Sequence, residues 1–263
     1  MKHPSLYLDW YISVPKLKYD LRSSGLSFFL YDADLRGFDL SINYSHGNPE
    51  TVQSFAEYYD VPSENVFVSS EGASGQNARI IRVLAERLRG KNEAVVEFPT
   101  YEPLLRQVQE HFRTVRRFER KKEDRYRLNL EAIKKAITAR TGLLVLTNPH
   151  APSGAVVDKD GLAELVQLAG KRGFFVVCDE IYAEFDRDLL SSLFSTCSER
   201  AIVTTSFTKA YGLGGLKLGI ALASKELVDE LYTDVLNTVG NSPNIVQYIA
   251  ATLMSKDRSK LEG

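Results

Sequence analysis

Three short stretches of the chain place reactive residue types at the ends of apolar runs. In Ser206-Phe207-Thr208-Lys209-Ala210-Tyr211-Gly212, a lysine follows Ala201-Ile202-Val203 and precedes a glycine-rich turn that continues to Gly219. A lysine held there, desolvated and near other cations, has a lowered pKa and can act as an amine nucleophile. In Asp179-Glu180-Ile181-Tyr182, a carboxylate directly follows the run from Phe174 to Cys178. Such a carboxylate is costly unless it is hydrogen-bonded or paired with a cation. It reads either as a cap or buried salt bridge, or as a group aimed at a protonated ligand nitrogen. In Ser69-Ser70-Glu71-Gly72-Ala73-Ser74, glycine and serine stand between a strand-like run and a helical one. A glycine at that junction lets backbone N–H groups approach an anion at a helix N-terminus. The same residues also make ordinary turns, and no single stretch decides its own role.

The elements that must position these groups follow from hydrophobic periodicity. Val66-Phe67-Val68, Val95 to Phe98, Leu143 to Leu146, Phe174 to Val177 and Ala201 to Val203 read as buried strands. Between them, Ser74 to Arg89 puts Ala78, Ile81, Leu84 and Leu88 on one helical face. Asp158 to Arg172 does the same with Leu162, Leu165, Val166 and Ala169, with Asp158 as the N-cap. Alternation of this kind predicts an α/β domain with a largely parallel sheet, in which ligands bind beyond the carboxyl ends of the strands. Arg116 to Arg127 holds ten charged residues among twelve and reads as a solvated loop. The first 45 residues show weak periodicity and take no assignment.

Composition narrows the function classes. The 263 residues carry 33 Lys+Arg against 34 Asp+Glu, a net charge of -1, which gives no reason to expect nucleic acid or an anionic membrane as a partner. With 44% apolar residues the chain can build a sizeable core. Two cysteines, Cys178 and Cys197, do not make a disulfide framework, so a reduced, cytoplasmic setting is expected. Met1 to Trp10 lacks the continuous apolar stretch of a secretory signal. The longest uncharged stretch, Val235 to Ser255, contains Asn237, Asn241, Pro243, Asn244 and Gln247, too polar for a membrane span.

Taken together, the motifs resemble the aspartate-aminotransferase-like, fold-type I family of pyridoxal-phosphate enzymes, specifically its class I/II aminotransferases. The matching segments, in order, are Glu71-Gly72-Ala73-Ser74, Pro99-Thr100-Tyr101, Asn148-Pro149-His150-Ala151-Pro152-Ser153-Gly154, Asp179-Glu180-Ile181-Tyr182 and Ser206-Phe207-Thr208-Lys209. The resemblance implies a seven-stranded-type, mostly parallel sheet flanked by helices. Residues 46–238 would form the cofactor-binding large domain, 1–45 an N-terminal small-domain or interface segment, and 239–263 the start of a small domain. It implies pyridoxal 5'-phosphate as cofactor, amino-acid and 2-oxo-acid substrates, and a homodimer. Lys209 would form the Schiff base and shuttle the proton. Asp179 would pair with the pyridine nitrogen, Tyr101 stack on the ring, and Tyr182 donate to its phenolic oxygen. The backbone around Ala73, the Ser74 hydroxyl, Ser206 and Lys217 would hold the phosphate, Gly72 and Asn148 would lie at the cofactor, and Tyr44 would reach the phosphate of the partner subunit.

Three departures from the family pattern bear on activity. Ala151 stands where an Asn usually precedes Pro-[Ser/Thr]-Gly. Lys217 stands where an Arg usually supplies a bidentate fork. The chain ends at Gly263, where family members continue into the rest of the small domain and supply an arginine for the substrate carboxylate, so it is read as either truncated or a reduced relative. An aminotransferase is the leading expectation. Another pyridoxal-phosphate reaction (decarboxylase, lyase or racemase) and a non-catalytic cofactor-binding relative are the alternatives.

Overall fold

The computed structural model describes residues 6–15, 17–20, 22, 24–26, 35–36, 38–187 and 190–256, with the side chains of 255 and 256 excepted. Among the described residues, seven strands form one sheet: β1 (Val66–Ser69), β2 (Glu93–Phe98), β3 (Thr114–Glu119), β4 (Thr141–Thr147), β5 (Phe175–Asp179), β6 (Ala201–Ser206) and β7 (Gly219–Leu222). The helices are α1 (Leu6–Ser13), α2 (Pro49–Tyr59), α3 (Gly72–Arg87), α4 (Glu102–His111), α5 (Leu130–Ala136), α6 (Lys159–Arg172), α7 (Lys225–Thr238) and α8 (Asn244–Lys256). Strand order is β1-β7-β6-β5-β4-β2-β3, and β7 runs antiparallel to both of its neighbours while the other pairs are parallel.

The apolar runs are continuous because both faces of the sheet are covered. Alternate residues serve opposite sides: Leu144, Leu146, Val176 and Cys178 pack with Phe55, Ile133, Leu162 and Leu165 from α2, α5 and α6. Leu143, Val145, Phe175 and Val177 pack with Ile80, Leu84, Leu104 and Leu231 from α3, α4 and α7. Helix starts follow local chemistry. Asp158 accepts from the Gly161 N–H (2.8 Å), and Asn48 caps α2, whose first residue is Pro49. Gly173 ends α6 at φ 74°, a left-handed conformation that suits glycine.

Two expectations need correction. The charged stretch is not all loop: Thr114–Glu119 is the edge strand β3, whose Phe118 turns inward while Arg116 and Arg117 reach over β2. An edge strand tolerates charge because one side stays in water. Arg120, just beyond it, is fully buried against Glu97 of β2. The apolar face of α3 also differs: Ile80, Ile81, Val83 and Leu84 are buried, with Gln76 and Asn77 beside them, while Ala78 and Leu88 are only partly covered. No helix among the described residues is long and apolar enough to cross a membrane.

Candidate functional site

Beyond the carboxyl ends of β4, β5 and β6 lies a cavity of about 740 Å³, whose wall includes Thr147, Asp179 and Lys209. Parallel strands deliver their C-terminal residues to one rim, so residues distant in sequence converge there. Asp179 ends β5. Its Oδ2 accepts from Asn77 Nδ2 (2.7 Å) and its Oδ1 from the Ile181 N–H (3.0 Å), while Asn77 Oδ1 accepts from the Thr204 hydroxyl (2.7 Å). Burial pushes the Asp179 carboxyl up to about 6, against the opposing pull of Asn77, the Ile181 amide and Lys209. A carboxylate so held is still ionised at neutral pH and can accept a further proton donor.

Lys209 sits in the turn after β6, half-buried, with Nζ 2.6 Å from Ser24 Oγ and 5.9 Å from the ring centre of Tyr182. Burial lowers its pKa, Lys217 adds to the effect and Asp179 opposes it, which favours the neutral, nucleophilic amine. The turn itself is set by Ser206, whose buried hydroxyl donates to the Leu218 carbonyl (2.6 Å) and accepts from the Thr208 N–H (3.2 Å).

The start of α3 forms another part of the wall. Gly72 has φ 65° and donates its N–H to the Lys217 carbonyl (2.6 Å). Glycine at 219 permits this approach, since a Cβ there would lie 2.7 Å from the Gly72 oxygen. Glu71 does not cap the helix; its carboxylate binds Arg79 instead (2.7 Å). The uncapped first turn, with Ala73, Ser74 and the Lys217 side chain on the same cavity wall, suits an anion.

Two loops carry the remaining wall. Tyr101 precedes α4, and burial, with Tyr7 adding, pushes its phenol up to about 12; the two rings meet edge to face at 5.6 Å. His150 Nε2 lies 3.0 Å from the Pro99 carbonyl and Nδ1 2.7 Å from Ser153 Oγ. A carbonyl only accepts, so Nε2 carries the proton and Nδ1 accepts from Ser153. Burial takes His150 down to about 4, so it is a neutral staple between the two loops. Below it, Glu97 accepts from Arg120 Nη1 (3.0 Å) and from the Thr147 amide and hydroxyl (both 2.7 Å), and Thr147 Oγ1 accepts from the Ala151 N–H (2.8 Å).

Of the residues singled out in the sequence, Gly72, Ala73, Ser74, Tyr101, Asp179, Tyr182, Lys209 and Lys217 share this cavity. Three do not line it. Asn148 turns its side chain away, accepting from the Val157 N–H (3.0 Å) and donating to the Ser191 carbonyl (3.3 Å). Ser206 lies beneath the Lys209 turn. Tyr44 lies in the stretch before α2. Tyr7, Ser24, Asn77 and His150 escaped sequence reasoning as site residues. Asn77 alone had a local signal, a polar residue next to the apolar positions of α3.

The residues fit a phosphorylated pyridine aldehyde: an amine of lowered pKa, a buried carboxylate, an anion-ready helix start and aromatic walls stand around one space. The chain spans about half the length of the curated relatives it matches. It is 24% identical over 185 residues to a histidinol-phosphate aminotransferase of Methanococcus maripaludis, covering 69% of this chain and 48% of that protein. It is 28% identical over 142 residues to an aspartate aminotransferase of Pyrococcus abyssi, covering 52% and 36%. The fold matches Thermus thermophilus aspartate aminotransferase with maleate at a TM-score of 0.75 and 23% identity, over 85% of this chain and 60% of that one. The profile of the family described as aminotransferase class I and II matches residues 37–262, and the chain belongs to that family.

Proposed function

We propose that this chain binds pyridoxal 5'-phosphate and carries the cofactor-binding part of an aminotransferase acting on an amino acid and a 2-oxo acid. The observation that carries the reading is that Lys209 and Asp179 line one cavity together with the uncapped start of α3. When bound, the cofactor supplies an electron sink for charge developing at the substrate Cα. Lys209 would hold it through its amine and move the proton. Asp179, kept ionised by Asn77, would keep the ring nitrogen protonated. Tyr182 would donate to the ring oxygen and Tyr101 would cover one ring face. The Ala73 backbone, the Ser74 hydroxyl and the Lys217 ammonium would take the phosphate, while Gly72, whose N–H is held by the Lys217 carbonyl, would shape the helix start beside it. Asn148 would act from the second layer, through its backbone N–H to the Asp179 carbonyl (3.0 Å), and Ser206 through the Lys209 turn.

Residues 46–238 would form the large domain, with 1–45 and 239–263 belonging to small-domain or interface parts. Tyr44, outside its own cavity, would reach the partner's phosphate in a cytoplasmic homodimer. Monomeric mass in light scattering at full cofactor occupancy would contradict the dimer. Added pyridoxal phosphate should give visible absorbance, and borohydride should fix the cofactor to the peptide containing Lys209. Labelling at Lys217 or Lys225 instead would overturn the assignment. Half-reactions with single amino acids distinguish transamination, which yields the amine form of the cofactor, from decarboxylase, lyase or racemase chemistry and from binding alone.

A further inference from the structure

Behind the Lys209 turn, three phenols converge on one carboxylate. Glu184 lies in the short 3-10 turn Ala183–Phe185, two positions after Tyr182, and its side chain is 2% exposed. Its Oε2 accepts from Tyr58 (2.6 Å) and Tyr211 (2.9 Å), and its Oε1 from Tyr59 (2.9 Å). The Tyr58 and Tyr211 hydroxyls are 2.7 Å apart. Arg187 Nε stands 3.9 Å from the carboxylate, and its guanidinium lies over the Tyr58 ring at 4.1 Å. Tyr58 and Tyr59 end α2, and Tyr211 is two positions after Lys209. One side chain therefore ties together three elements: the turn that carries Tyr182, the turn that carries Lys209, and α2.

Ser206 fixes the start of the Lys209 turn, and the Leu26 N–H donates to the Lys209 carbonyl (3.0 Å), but the stretch beyond Lys209 has fewer ties of its own. Its internal backbone bonds are the long Gly212 N–H to Lys209 carbonyl contact (3.4 Å) and Leu213 N–H to the Phe207 carbonyl (3.2 Å). What braces it from behind is the Tyr211 ring, packed edge to face on Phe207 at 4.7 Å and bound at its hydroxyl to Glu184. A buried carboxylate receiving several donors is a stiff anchor, since each bond fixes a direction and a loose partner would leave a buried polar group unpaired.

We infer that Glu184 is a positioning residue: through Tyr211, Tyr58 and Tyr59 it sets where the Lys209 amine stands relative to Tyr182 and Asp179. The inference rests on the proposed role of Lys209. Glu184 touches no part of the cavity; it acts by holding two of the turns that form the wall.

The test compares the full chain with Glu184→Gln, Glu184→Leu and Tyr211→Phe, the last removing one oxygen atom in case the leucine variant fails to fold. Two readouts are needed. In cofactor-free protein, the pH dependence of Lys209 acylation, mapped by peptide mass spectrometry, reports the amine's surroundings. With pyridoxal phosphate added, the rate of visible absorbance change reports its placement. Because an error of about 1 Å in a reacting group can cost on the order of a hundredfold, Glu184→Leu and Tyr211→Phe should slow the absorbance change by about tenfold or more. Both should also displace the Lys209 acylation midpoint. Glu184→Gln, which keeps an acceptor for Tyr58 and Tyr211, should recover most of the rate. Variants that lose thermal stability yet match the parent in both readouts would show a purely structural carboxylate and overturn the inference. A parent protein that captures no cofactor at Lys209 would overturn the underlying reading, and the inference with it.

Discussion

Replacing Asn77 with Leu removes the amide that holds Asp179 while keeping the branched four-atom skeleton of the side chain. Its Nδ2 donates to Asp179 Oδ2 at 2.7 Å, and the pair is buried. A hydrogen bond to an ionised group contributes about 1.5–3 kcal/mol. At about 1.4 kcal/mol per pH unit, its loss should raise the carboxyl pKa by about 1–2. Asp179 starts at about 6, so in the variant it would be about half to nine-tenths protonated at neutral pH. The sign is the same for ligand binding: a neutral Asp179 cannot pair with a protonated ring nitrogen, so affinity is lost on the acidic side of the midpoint. Two assays read it. Carbon NMR of labelled aspartate in the cofactor-free protein gives the midpoint directly, and pyridoxal-phosphate affinity against pH should show its acidic limb displaced upward by the same amount. Thr204→Val, which leaves the amide but removes the hydroxyl donating to its oxygen at 2.7 Å, should move the midpoint the same way by less. A midpoint that stays near its parent value, or falls, in Asn77→Leu would refute the claim that Asn77 keeps the carboxylate ionised.

Three further outcomes follow from the loops around the cavity. Arg120→Met leaves the buried Glu97 without its cation, with both side chains of the pair 0% exposed in the parent, and should cost about 3–5 kcal/mol in urea unfolding. Adding Glu97→Leu should recover part of that cost, and a double variant less stable than the single would refute the argument. His150, held at about 4 against an ordinary value near 6.5, contributes stability that is present above about pH 6.5 and lost as pH falls towards 4, by at most about 3 kcal/mol. The stability gap between the parent and His150→Leu should therefore shrink over that interval in pH-dependent denaturation. Glu97 and Glu180, raised to about 7 by burial, act in the opposite sense, penalising the folded state as pH rises from about 4.5 to 7. Ala151 lines the cavity, so Ala151→Asn should lower the pH midpoint of the bound cofactor's visible absorbance in a spectrophotometric titration. An unchanged or raised midpoint would mean that position 151 does not face the ring.

What was legible in the sequence, and what was not, divides along a physical line. β4 and β5 could be read because a strand covered on both faces must be apolar at every position, and Leu143 to Leu146 and Phe175 to Cys178 have no other use for that composition. β3 could not, because an edge strand needs only Phe118 inside, and its arginines look solvated until β2 is placed beside them, with Glu93 at Arg116 and the Val96 carbonyl at Arg117. β7 was hidden for a related reason: Gly219 opens a strand inside a run of glycines, and only the nearness of Gly72 explains it. The same line runs through the site. Lys209, Asp179 and Tyr182 stand at strand ends, where local pattern and topology coincide. Glu184 and Tyr211 lie beside them in sequence and show no pattern of their own, because their partners Tyr58 and Tyr59 are more than a hundred residues away. Tyr7 and Ser24 come from a segment with weak periodicity and reach the cavity only through tertiary contact. Groups that would touch a ligand could thus be read from strand ends, whereas the groups that aim them could be read only from the fold. That asymmetry is why the variants most informative about this site, at Asn77, Glu184 and Tyr211, are ones that no motif nominates.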